Sequence, residues 1–482
     1  MRKRFETQIN IGQIPISELM INPKNKNALE QLIAALKEIY CNAEYNEKIF
    51  SLLEQNLSTR NKMGRPGMNL WVIFVLAQVR MVLNCSYEFL HHLANNDRLL
   101  RVLLGIERNH DFERIEYEYQ NIYDNICGLD EQMLKKINEV IVAFGHSKVF
   151  KKKEGTALRL KADSFVVKSN VHFPTDYNLL WDCARKSLDV VSVFVEKYDL
   201  PDWRKLKFWY RTLKGLMREL GKANALGGKN KEERIKKVAE AYLQKAQLLV
   251  EKLQTTVPTF PICSVQDVAK MYELENYMRL LEKHINLVDR RLLKKETIPH
   301  EEKMFSIFET YTEWVVKGKK NPAVELGKKV TIVTDQYNLL LLHHVMDQQQ
   351  DRDIVLELAD NLLDKYKHIG SISFDKGYWN ANNKQILELA IDNVIMCKLG
   401  KRTKKEEALE SSKLFRRLKN KHSAVESNIN ELEHRGLDFC PDRGYPHFKT
   451  YIALAVCSYN LRRIGKKLLE NRLHKIALRK AA

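Results

Sequence analysis

The sequence predicts an α/β chain, a mixed sheet with flanking helices that is interrupted by an all-helical insertion and preceded by a helical amino-terminal domain. Three observations predict it. Strand-like runs rich in Val, Ile, Leu or Phe occur at 158–164, 330–335, 339–346, 372–375 and 394–397. Between the first and second of these the chain carries long apolar stripes at helical spacing, through about 200–300. Ahead of the first, residues 1–150 show helical periodicity and no strand-like run. The expected division is a helical domain over 1–150 and a sheet-bearing domain over 151–482, with its insertion at about 195–305.

Taken in order, 27–40 is amphipathic through Leu29, Leu32, Ile33, Leu36 and Ile39, and a basic break at 62–66 precedes an apolar helix over 68–83. A pair at 86–94 and 98–104, joined by Asn95, Asn96 and Asp97, has the pattern of a helix-turn-helix or of two simply packed helices. After the strand around Asp163, Pro174, Thr175 and Asp176 mark the start of a helix leading into 179–193. In the insertion, Ile235, Val238, Tyr242, Ala246, Leu249 and Leu253 form one stripe, and Met271, Leu274, Met278, Leu281, Ile285 and Val288 form another. Such stripes suit helices packed on each other or the seam of a coiled-coil dimer. Strands resume as a hairpin about Gln336, Tyr337 and Asn338, followed by a helix through Val355 and Leu362, the strand 372–374, a helix over 381–391 and the strand 394–397.

Composition narrows the function classes. The 80 Lys and Arg against 61 Asp and Glu leave a net charge of +19, which makes nucleic acid the first partner to consider. The eight cysteines are scattered, with no CxxC pair and no Cys/His cluster at zinc spacing, a usage suited to a reducing cytoplasm. The opening MRKRFETQIN has basic residues but no apolar core after them, and the apolar run at 70–79 contains Gln78 and stops at Arg80. It falls short of the roughly 20 residues that span a bilayer, so neither export nor membrane insertion is expected.

The stretch ISFDKGY at 372–378 places the Asp375 carboxylate at the carboxyl end of a strand, where loops decide what is exposed. Alone, such an acid also serves as a helix cap. Asp163 in LRLKADSFVVK and Glu426 in SAVESNINEL, which reads as helix, change the balance. Two strand-borne aspartates and a helix-borne glutamate are the oxygen ligands that two Mg²⁺ ions require. Asp335 is the rival to Asp375, or a turn residue, and Glu431 and Glu433 are the alternatives to Glu426. Between the last strand and Glu426, the basic residues Lys401, Arg402, Lys404, Lys405, Arg416, Arg417, Lys419 and Lys421 read as a track for DNA phosphates. Lys62, Arg65 and Lys376 are further expected DNA contacts, while Tyr378 and His172 suit either a DNA contact or a structural role.

These stretches resemble an RNase H-like DDE transposase of bacterial insertion sequences, most closely the ISNCY type. The likeness is carried by ADSFVVKSNVHFPTD around Asp163, ETYTEWVVKGKKNPAVELGKKVTIVTDQ over 309–336, FDKGYW around Asp375, HSAVESNINELEHRGLDFCPDRG around Glu426, and the GRPGMN break. The resemblance implies an RNase H-like sheet, a helical amino-terminal DNA-binding domain, and Asp163, Asp375 and Glu426 as a catalytic triad holding two Mg²⁺ ions, for which Mn²⁺ can substitute. It also implies cleavage at element ends and strand transfer into target DNA, recognition of double-stranded DNA at terminal inverted repeats, self-association in a synaptic complex, and a bacterial cytoplasmic protein held at the nucleoid. One position departs from the pattern of related families, Glu433 standing where they carry Lys, so basic assistance is expected from Lys421, His422 or Arg435. Rival expectations are a non-catalytic DNA-binding protein derived from a transposase, and an RNase H-like nuclease that cuts without joining.

Overall fold

Six strands form one mixed sheet among the described residues: β1 (Leu158–Lys168), β2 (Glu313–Val316), β3 (Val324–Thr334), β4 (Leu340–Val345), β5 (Ile369–Phe374) and β6 (Val394–Ile395). The computed structural model describes residues 2–5, 12–57, 67–108, 114–316 and 323–481. β1 is central and mostly buried, with Leu158, Leu160, Ala162, Phe165, Val166 and Val167 in the core, as a strand covered on both faces requires. β3 lies antiparallel on one side of it, from Lys161 opposite Thr334 to Lys168 opposite Gly327. β5 lies parallel on the other, with Leu160 opposite Ile372 and Ala162 opposite Phe374, and β6 extends the sheet in parallel beyond β5. β4 pairs antiparallel with β3, and β2 is the remaining neighbour of β3.

The connections follow from the pairing. A tight turn suffices between antiparallel β3 and β4, whereas parallel β5 and β6 are joined through the helix Ala381–Glu388. β3 begins well before the expected 330, because its charged first half is partnered rather than solvated. Lys328 pairs with Asp347, Lys329 with Asp351 at 2.7 Å, and Glu325 lies 3.9 Å from Lys168. Such partners allow a Lys- and Glu-bearing stretch to occupy an inner strand.

Two compact units emerge, Met1–Asn170 with Val315–Ala482, and Val171–Trp314. The second is helical, and it takes in the helix Asp176–Tyr198, so it begins earlier than the 195 expected for the insertion. Leu180, Ala184, Val191 and Phe194 of that helix share a core with Tyr242, Leu249 and Leu281, so the apolar stripes are packed on sibling helices of the same chain.

In the first unit the amino-terminal helices and the sheet share one core, organised by the long helix Tyr445–Ala481. Phe448, Ile452, Val456, Leu461 and Ile464 of that helix are buried, as are Leu32, Ile33 and Leu36 of Ala28–Tyr40. The two helices approach so closely that a Cβ on Gly465 would sit 1.6 Å from the Gln31 carbonyl oxygen, so only glycine fits there. Buried Asn460 joins the layers: its amide donates to Asn138 and to the Leu340 carbonyl, both at 2.8 Å, and its oxygen accepts from Leu340 N–H at 2.8 Å. One side chain thereby satisfies both backbone groups at an outer position of β4.

The expected helix pair forms as Tyr87–Asn96 and Arg98–Leu103, with Asp97 capping the second by accepting from Leu100 N–H at 2.8 Å. The second helix is short, and Leu100, Arg101, Val102 and Leu103 are buried in it. A helix that reads a DNA groove must present its side chains outward, and this one mainly packs. No single helix is long and apolar enough to cross a membrane among the described residues, and the apolar Leu70–Leu83 helix is core.

Candidate active site

Strand register brings the two aspartates together. Ala162 and Phe374 are opposite each other on parallel β1 and β5, so Asp163 and Asp375 occupy the next position on each chain. Because strand side chains alternate, Lys161 and Asp163 lie on one face of β1, and Ser373 and Asp375 follow the same alternation beside them. Asp375 leaves the strand in extended conformation and opens the short turn Lys376–Tyr378. Tyr378 is buried, its hydroxyl 3.0 Å from that of Thr331, so it packs beneath the site, while Lys376 is exposed.

The third acid comes from the helix Lys413–Leu432, which packs on the sheet, its Phe415 and Leu418 sharing a core with Ile395 of β6, while Val425, Ile429 and Leu432 are also buried. Lys419, His422 and Glu426 follow at helical spacing on one face, and His422 anchors it, with Nδ1 3.0 Å from the Ser373 hydroxyl. The alternatives are otherwise engaged. Glu431 pairs with buried Arg462, and Glu433 begins the irregular turn Glu433–Leu437. Asp335, wholly buried, accepts from Tyr337 and Leu339 N–H at 2.8 and 2.9 Å and lies 2.6 Å from His146 Nε2, which makes it the organiser of the β3–β4 turn.

Electrostatics ties the acids to one another. The Asp163 carboxyl is pushed up to about 7, first by burial and then by the negative charges of Asp375, Asp351 and Glu426, against a 2.7 Å hydrogen bond from Ser164 N–H. His422 is held below the ordinary imidazole range by burial, with Lys161 adding to the effect and Asp375 and Glu426 opposing it. Its buried Nε2 has no hydrogen-bond partner. Lys161, also buried, is lowered by desolvation and by Arg159, Arg463 and Lys421, and it donates to Asn338 at 3.2 Å.

Asp351 and Lys161 were not singled out by the sequence reading. Asp351 is one acid in a polar run, QQQDRD, and nothing local distinguishes it. Tertiary structure gives it the Ser164 hydroxyl at 2.6 Å and the Lys329 ammonium at 2.7 Å. Lys161 had a signal, since it alternates with Asp163 on a strand that is otherwise apolar at its centre.

The basic residues Lys401, Lys404, Lys405, Arg416, Arg417, Lys419 and Lys421 are exposed and make no ion pair among the described residues, whereas Arg402 pairs with Glu410 at 2.9 Å. Lys62 and Arg65 lie outside the described residues. Arg435 donates to the Val82 carbonyl at 2.8 Å, a structural role, and His172 sits 3.2 Å from Asp182. Carboxylate oxygens crowded enough to raise one another suit a hard divalent cation, which would relieve the repulsion. As placed, no three His, Cys, Asp or Glu side chains converge closely enough to hold a metal ion among the described residues. No protein-family model, curated protein or solved structure matches this chain.

Proposed function

We propose that this chain is an RNase H-like DDE transposase that binds insertion-sequence ends and catalyses strand cleavage and strand transfer. The observation that carries the reading is the adjacency of Asp163 and Asp375 on parallel strands, with Glu426 near enough to act on the Asp163 carboxyl. The sheet order supports it: an antiparallel β4–β3–β1 meander continued by parallel β5 and β6, with acids on the central strand and its parallel neighbour.

Asp163, Asp375 and Glu426 are the residues that would hold Mg²⁺ or Mn²⁺. Bound there, the ions would activate the attacking water or 3′-hydroxyl and stabilise the leaving oxygen. Lys329 and Ser164 hold Asp351 in place, and its carboxylate adds to the negative charge that acts on Asp163. Arg416, Arg417, Lys419 and Lys421, on the helix that carries Glu426, supply exposed positive charge for the phosphates on either side of the scissile bond. Pairing two element ends calls for at least two copies on the double-stranded DNA, in a synaptic complex that also admits target DNA. The proposed setting is the bacterial nucleoid.

The test uses a duplex bearing the inverted repeats that flank the gene, incubated with Mg²⁺ or Mn²⁺ and a target plasmid. Cleaved ends joined to target are expected from the wild type, and neither product from Asp163→Asn or Asp375→Asn. Cleavage without joining would instead assign a nuclease. Binding without cleavage in either metal would assign a non-catalytic descendant.

A further inference from the structure

A second basic surface lies on parts of the chain that the sequence reading gave no role. A cleft of about 830 Å³ opens between the later turns of the Tyr445–Ala481 helix, the turn Gly145–Val149 with the residues after it, and Gln336 and Tyr337 of the β3–β4 turn. Lys466 and Lys475 enter it from the long helix, and Lys148 and Lys151 from the turn. All four are exposed and without an ion pair among the described residues. Both acids of the lining are already engaged, Glu38 by Arg472 at 2.5 Å and Glu470 by Lys467 at 3.8 Å.

Charge on one helix face is commonly just solvated. Here, separate segments deliver cations to a single concavity, and like charges gathered this way repel one another unless a polyanion spans them. The cations ring an open cleft instead of converging on one point, an arrangement that fits several phosphates in a row better than one small anion. The β3–β4 turn that lines the cleft also reaches the strand of the acidic site. Tyr337 accepts from Arg463 at 3.3 Å through its carbonyl, Gln336 accepts from the Arg159 N–H at 2.9 Å, and Asn338 accepts from the Lys161 ammonium, two residues before Asp163, at 3.2 Å.

We infer that this cleft binds the phosphate backbone of double-stranded DNA and leads it toward the Asp163 face, an inference that rests on the transposase reading for the identity of the polyanion. Contacts are made to phosphates and not to base edges, so they are independent of sequence.

The experiment measures binding of the full-length protein to a labelled duplex by fluorescence anisotropy over a range of salt concentrations. It compares wild type, the triple variant Lys148→Gln, Lys466→Gln, Lys475→Gln, and the pair Arg416→Gln, Arg417→Gln. Loss of three phosphate contacts should weaken binding about tenfold or more and flatten the log–log salt slope by roughly 3. Thermal melts equal to wild type establish that the variants fold. An unchanged affinity and slope in the triple variant, alongside weakened binding by the Arg416 and Arg417 pair, overturns the cleft and leaves the transposase reading standing. A wild type that binds no duplex at low salt overturns both. Displacement of duplex by inorganic phosphate at matched phosphate concentration would identify a small-anion site instead.

Discussion

Asp163 and Asp375 stand side by side one position beyond the Ala162–Phe374 pair of two parallel strands, and the Asp163 carboxyl is held up to about 7, first of all by burial. Asp163 is half-buried on the central strand, and Asp375 is exposed at the end of β5. A carboxyl so placed titrates within the physiological range, which gives the site a pH dependence that can be measured.

The first prediction follows from that carboxyl. With a folded pKa above the unfolded value, the folded state holds the proton more tightly. Its contribution to stability is full below the unfolded pKa, near 4, and is lost as pH rises through 7. At pH 8 the ionised group costs on the order of 2 kcal/mol after allowance for residual solvent screening. Asp163→Asn should therefore melt at a higher temperature than wild type at pH 8, and the gap should close toward pH 4. A wild-type melting temperature that rises from pH 5 to 8 relative to the variant would contradict the assignment.

Asp351 is predicted to matter for stability despite its absence from any motif. Asp351→Ala leaves the Lys329 ammonium and the Ser164 hydroxyl without their acceptor, a loss of about 1–3 kcal/mol. It also removes one of the charges that raise Asp163, so the pH dependence above should weaken in parallel. Urea titrations at two pH values measure both effects, and an unchanged midpoint would show that the pair is incidental.

Glu426→Gln separates chemistry from packing. Glu426 is exposed and its helix is held by Val425, Ile429 and Leu432, so stability should change by no more than a few tenths of a kcal/mol. Cleavage of end DNA should fall on the order of 10²–10³-fold, as for the loss of a preorganised charge at a reacting centre. Single-turnover cleavage, run beside thermal melts and end binding, tests it. Near-normal cleavage would remove Glu426 from the proposed triad.

A fragment of residues 1–150 should not fold as a free domain. Leu32, Ile33 and Leu36 are covered by the Tyr445–Ala481 helix, and Asn138 is bonded to Asn460 of that helix. Exposing that apolar surface should leave the fragment aggregated or lacking a cooperative melt. Supplying residues 440–482 in trans should restore helicity, read by circular dichroism. A monomeric fragment with a sharp melt would refute this.

Local chemistry made much of the chain legible. Helical periodicity located the Asp176–Tyr198 helix and its insertion partners, and short Val- and Ile-rich runs located β1, β4 and β5, because amphipathic spacing is a property of neighbouring residues. The positions of Asp163, Asp375 and Glu426 on two strands and a helix were legible for the same reason. Tertiary structure alone decided the rest. The charged first half of β3 is strand because Asp347 and Asp351, distant in sequence, neutralise its lysines. The amino-terminal helices belong with the sheet because Gly465 lets a carboxyl-terminal helix close against Gln31, and no local pattern at residue 31 announces a partner so far along the chain. Asp351 and Lys161 gain their places at the site through strand register and loop closure, which follow from the packing of the whole unit, since a carboxylate or ammonium carries no sign of its neighbours until the chain has folded around it.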